Sequence, residues 1–163
     1  MYARRLLSSI TLGACLAATL VAAAPLAAQA PEASTIASAA RGARLDRAHT
    51  RSASIDGKRF DITPADYSGI KSMEQLRAGV FLGVLDNEAG AAEDVSLPTG
   101  RFNLYVKETN GVLMAYAEQG GKVYPAKRTI QKPDGPPNNQ PQFRRGSGCW
   151  WLWLIFTGIE VCW

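Results

Sequence analysis

The sequence predicts an all-β fold: a small antiparallel meander or β-sandwich with one or two short helices, preceded by a signal peptide and a low-complexity tether. Three observations lead there. Asn110-Gly111 separates two alternating segments, 101–109 and 112–118, and Asn-Gly is the strongest short hairpin signal. Asp56-Gly57 separates Ser52–Ile55 from Lys58–Ile62 in the same way. Val80–Leu85 is a continuous apolar run of strand length, the mark of a strand covered on both faces. The chain of 163 residues divides into 1–30 (signal peptide), 31–54 (tether), 55–130 (β domain), 131–148 (Pro-rich linker) and 149–163 (Cys/Trp-rich segment).

Arg4 and Arg5 followed by an apolar stretch from Leu6 to Ala28 form the n- and h-regions of a secretory signal. Ala28-Gln29-Ala30 has the small-x-small form of a cleavage site, so export with cleavage after Ala30 is expected, to the periplasm or outside the cell. Two alternatives stand beside it. The stretch is long enough for an uncleaved anchor, and Leu12-Gly13-Ala14-Cys15 resembles a bacterial lipobox, although the apolar run continues past Cys15. Residues 31–54 are rich in Ala, Ser and Arg, with Arg41, Arg44, Arg47 and Arg51 at steps of three, three and four. A helix would gather those cations on one face, but a solvated tether is expected, because Ile36 and Leu45 are its only large aliphatic residues.

Within the β domain, Phe60 and Ile62 alternate with Arg59 and Asp61 as in a half-buried strand. Thr63-Pro64-Ala65-Asp66 reads as one helix start and Ser72-Met73-Glu74-Gln75 as a capping box, with Gly79 closing the second helix. Asp86, Glu88, Glu93 and Asp94 form an acidic loop whose spacing fits no calcium template. In the Asn110-Gly111 hairpin, a two-residue turn sets Tyr105 against Tyr116 and Leu104 against Ala117. Phe102, Leu104, Val106, Ala115 and Ala117 then share the core face. The opposite face, with the tyrosine pair and Lys107–Met114, is too apolar for plain solvent. Lys122–Ile130 supplies a further strand, and Pro125 suggests an edge or a bulge.

Leu97-Pro98-x-Gly100-x-Phe102-x-Leu104-x-Val106 resembles the opening strand of prealbumin-like β-sandwich domains, such as adhesin stalk repeats and carboxypeptidase accessory domains. The resemblance spans ten residues. It implies a sandwich that binds, spaces or stabilises, and it carries over no functional residue.

Four prolines and three glycines make 131–148 a linker by composition. All four tryptophans, Trp150, Trp151, Trp153 and Trp163, follow it. As a helix Trp150–Trp163 would reach only about 21 Å, too short for a hydrocarbon core. Thr157-Gly158 reads as a hairpin turn, which sets Cys162 opposite Trp153; pairing Cys162 with Cys149, as expected of two cysteines in an oxidising compartment, requires a wider loop. The tail either docks on the sheet or meets an external partner.

The chemistry is bounded by scarcity. The net charge is +4, or +2 without Arg4 and Arg5, too weak to indicate nucleic-acid binding. One histidine, His49, and two mature cysteines supply no four-ligand metal set, and no cofactor is expected. No nucleophile-elbow, phosphate-loop, dinucleotide or zincin pattern occurs. Carboxylate pairs such as Asp61 with Asp66 or Glu88 with Glu93 lack the depth of chain for a sugar-sized cleft. The reading is an exported non-enzymatic β domain that binds an envelope component or a protein, with Trp150, Trp151, Trp153, Trp163, Tyr105 and Tyr116 as interaction candidates. Its partner is a protein, a glycan or a membrane surface. The alternatives are a membrane-surface-active tail and a precursor cleaved after Arg144-Arg145 to release a Cys/Trp peptide. Intact mass of the exported protein should place its first residue at Pro31; a diacylglyceryl-Cys15 start or a retained Met1 segment refutes that assignment.

Overall fold

The computed structural model describes residues 29–91, 95–132, 142–143, 149–153 and 157–163. The expected signal segment lies outside these residues except for Gln29 and Ala30. Among the described residues, ten strands form two antiparallel sheets. The first is a six-stranded meander in chain order: β1 (Arg51–Ile55), β2 (Lys58–Pro64), β3 (Val80–Asn87), β4 (Gly100–Thr109), β5 (Val112–Gln119) and β6 (Lys122–Pro125). The second has the order β7 (Arg128–Lys132), β10 (Gly158–Cys162), β9 (Cys149–Trp153), β8 (Gln142–Phe143). β7 lies against β5 and β8 approaches β1, so the second sheet meets the first at both flanks.

Both hairpins form as their turn residues dictate. Asp56 and Gly57 have φ of 51° and 76°, and Asn110 and Gly111 have 54° and 77°. Positive φ at both central residues matches the twist of the flanking strands. Ile55 pairs with Lys58, Thr109 with Val112, Tyr105 with Tyr116 and Leu104 with Ala117. Phe60, Ile62, Leu85, Phe102, Leu104, Ala115 and Ala117 are buried on one face of the meander. They share a single core with Trp150, Ile159, Val161 and Trp163 of the second sheet. Large side chains on β4 stand across from alanines on β5, which lets the layers interdigitate.

The opposite face is also closed. Tyr105 and Tyr116 are buried. Over Tyr105 lies α2 (Met73–Ala78), which packs on β4 and β3. Its capping box is complete: Ser72 Oγ accepts from Gln75 N, and Gln75 Oε1 accepts from Ser72 N. Gly79 ends the helix at φ 122°, and a Cβ there would fall 2.1 Å from the Tyr105 hydroxyl. The chain between β2 and α2 is held by Tyr67, whose buried hydroxyl donates to the Leu82 carbonyl.

Four expectations are corrected. Residues 31–54 are not a solvated tether: α1 (Ala33–Gly42) lies against β3, β4 and β5 with Ile36 fully buried. Ala39, Ala40 and Ala43 pack beside it, so small side chains bring the helix close enough for one isoleucine to anchor it. The arginines share no helical face, because only Arg41 lies within α1. No helix starts at Thr63. That residue pairs with Val84 and Pro64 pairs with Gly83, and Ala65 continues the ladder through a bridge to Leu45, so strand pairing overrides the local capping signal.

The run 122–130 is two strands in two sheets. Pro125 ends β6 at a sheet edge, and the chain turns at Ala126 into β7. There Ala126 N donates to Ala115 O and Ala115 N donates to Thr129 Oγ1. Segment 131–148 is more than a linker, since β7 runs into it and β8 lies inside it; 133–141 and 144–148 fall outside the described residues.

Both faces of β4 being buried, Leu104→Ala should cost ~2–5 kcal/mol and Tyr105→Ala a comparable ~3 kcal/mol in urea unfolding. A near-neutral Tyr105→Ala would show that α2 does not close the second face.

Candidate functional site

The predicted interaction residues do not assemble into one surface. Trp150 and Trp163 are 1 % and 0 % exposed, inside the core. Tyr105 and Tyr116 are under α2 and within hydrogen-bonding reach of Thr109 respectively, the Tyr116 hydroxyl lying 2.7 Å from Thr109 Oγ1. Trp151 is half-buried on the outer face of the second sheet, opposite Glu160. Trp153 pairs through its backbone with Gly158. The register of the tail differs from a turn at Thr157-Gly158: Gly158 already belongs to β10, and a four-residue loop replaces the two-residue one. That longer loop sets Cys162 directly opposite Cys149, with the sulfurs 2.10 Å apart. Trp150 pairs with Val161 and both are core residues, while Trp151 and Glu160, the next pair, share the opposite face, where Glu160 is buried as well.

A groove of about 620 Å³ opens at one end of the meander, lined by Asp61, Asp86, Asn87, Glu88, Thr99, Gly100 and Arg101. Its row of charges is set by register across three strands: Asp61 on β2 pairs with Asp86 on β3, which pairs with Arg101 on β4. Two carboxylates directly opposite each other repel. Each is offset by a guanidinium: Asp61 by Arg59, and Asp86 by Arg101 at 3.5 Å. The second carboxylate oxygen of Asp61 is buried without a hydrogen-bond partner among the described residues.

The groove is rigid at its base. Asn87 is 2 % exposed; its Nδ2 donates to the Leu97 and Pro98 carbonyls, and its Oδ1 accepts from Gly90 N. These bonds tie Gly90, Leu97 and Pro98 to β3. Gly100 has φ 131°, a backbone conformation that residues with a Cβ rarely adopt, so glycine suits the start of β4 beside Gln119. The result is a fixed, open recess rich in acceptors, with one guanidinium, one hydroxyl and backbone amides as donors.

A second recess, of about 430 Å³, is lined by Arg44, Leu45, Asp46, Arg47, Ala48 and Asp66. Hydrogen bonds from Ser68 hold the Asp66 carboxyl below its usual range, and Arg44 adds to the effect. Asp46 pairs with His49 Nδ1. The structure therefore separates Asp61 from Asp66, which the sequence had offered as a pair. Asp61 instead stands with Asp86 and Glu88. Glu93 and Asp94 lie outside the described residues. Among the described residues no three His, Cys, Asp or Glu side chains converge to hold a metal, and no helix is long and apolar enough to cross a membrane.

Comparison of the chain with protein-family models, with curated proteins and with solved structures finds no match.

Because Trp150 and Trp163 fill the core, deleting 146–163 should lower the melting temperature or cause aggregation, read by calorimetry and light scattering. An unchanged melting temperature with lost binding to liposomes or envelope fractions would instead return the tail to the role of an interaction device.

Proposed function

We propose that this protein is an exported, non-catalytic β-sandwich that binds a saccharide component of the cell envelope. The observation that carries the reading is the Asp61–Asp86–Arg101 row in its rigid groove. Sugar hydroxyls both donate and accept, and a recess that alternates carboxylates with a guanidinium, an amide-braced base and a threonine offers partners of both kinds. Its carboxylates repel phosphate, which speaks against nucleic acid. The in-register cysteine pair supports an oxidising compartment, in agreement with the Arg4-Arg5 and Leu6–Ala28 export signal. Trp150 and Trp163 are buried in the core, so these two tryptophans are not offered to a membrane surface.

The test is calorimetric titration of the mature protein with soluble peptidoglycan fragments and lipopolysaccharide core oligosaccharides. Binding to one of them should weaken about tenfold or more in Asp86→Asn or Arg101→Gln, the effect of losing a charged hydrogen bond. The reading fails if no saccharide binds, or if both variants bind as the native protein does.

A further inference from the structure

The outer face of the second sheet holds an arrangement that neither the groove nor the core uses. Cys149 and Cys162 stand opposite each other at the end of the β9–β10 pair. Their environments differ. Cys149 is partly exposed, whereas Cys162 is 8 % exposed and lies beside Arg128 of the neighbouring β7, whose guanidinium is 3.7 Å from Cys162 Sγ. Arg128 also reaches Glu160 Oε1 at 3.6 Å. Register places Arg128, Ile130, Glu160 and Trp151 on the same face as the two sulfurs.

We propose that Cys149–Cys162 is a reversible thiol–disulfide exchange site for an exported dithiol oxidoreductase, with Cys149 Sγ as the sulfur attacked and Cys162 as the leaving thiolate. In the first step the oxidoreductase thiolate bonds to Cys149 Sγ, and the Cys149–Cys162 bond breaks. Its electron pair leaves on Cys162 Sγ, where the Arg128 guanidinium stabilises the negative charge until solvent protonates it. In the second step the other thiolate of the oxidoreductase attacks its own sulfur in the mixed disulfide and releases Cys149. This protein has then gained two electrons and the dithiol has lost two. Exposure selects Cys149 as the accessible sulfur, and a neighbouring cation makes Cys162 the better leaving group. The glutamate shares the same guanidinium, so Glu160 limits the stabilisation.

The fold tolerates the cycle. β10 lies between β7 and β9, and four further residue pairs on each side keep its register when the two sulfurs separate. Each cysteine is followed by a buried tryptophan, Trp150 or Trp163, so the redox state has a fluorescence signature near the core.

The experiment uses the mature protein without denaturant and reduced glutathione as the probe. The reduction rate is read by alkylation mass shift and by tryptophan emission, and the mixed disulfide is located by chymotryptic mapping. The rate should rise linearly with glutathione, and the adduct should sit on Cys149. Arg128→Gln/Glu160→Gln, which removes the cation without stranding the buried carboxylate, should slow reduction roughly three- to tenfold, while Glu160→Gln alone should not slow it. A rate independent of thiol concentration means that only the unfolded chain is reduced, and overturns the proposal. An adduct on Cys162, or no slowing in the double variant, overturns it equally.

Discussion

The burial of Trp150 and Trp163 against a six-stranded meander is the contact on which the rest of this architecture depends. A meander of β1 to β6 has a large apolar face, built on Phe60, Ile62, Leu85, Phe102 and Leu104, and α1 and α2 pack on its central strands. The strands that cover it come from the far end of the sequence. With β9 and β10 in place the core is single and continuous, and the second sheet meets the first beside β5 and beside β1. Small domains have little apolar surplus. Here the tryptophans supply the bulk that short strands such as β8 cannot.

The parts of the fold that could be read from the residues are those governed by neighbours in sequence. Asp56-Gly57 and Asn110-Gly111 set their registers through positive φ, and Ser72 with Gln75 sets a helix start; each is a matter of a few residues. What escaped reading depended on partners distant in the chain. Ile36 became a core residue only because three alanines let α1 approach the sheet. Thr63-Pro64 carries a helix-start pattern, yet β3 recruits it as strand, and no local signal announces that competition. The break at Ala126 was foreshadowed by Pro125, but not the change of sheet.

The groove was illegible for the same reason. Asp61, Asp86 and Arg101 are far apart in sequence and become a row only when β2, β3 and β4 pair in one register. Proximity in sequence suggested Asp61 with Asp66, but Pro64 and Ala65 carry Asp66 away to the recess of Arg44 and Arg47. The tail illustrates the opposite difficulty: its apolar content was evident, and whether it faced inward was a question of parity. One more pair of residues in the loop between β9 and β10 sets the cysteines opposite each other, and the alternation of the strand sends Trp150 and Trp151 to opposite faces.

Strand order in the second sheet has a consequence for how the chain reaches this state. β7 follows the meander directly, yet its hydrogen-bonding partner is β10, the last of the ten strands. Until β10 arrives, β7 has no strand partner within its sheet. Pairings between segments so distant in sequence form slowly, and open strand edges are sites of association between chains. A chain threaded across a membrane from its N-terminus would deliver the meander well before its cover. Under the proposed export, the interval between the two would be when the chain is most exposed to aggregation, and when a holding chaperone on the receiving side would matter most.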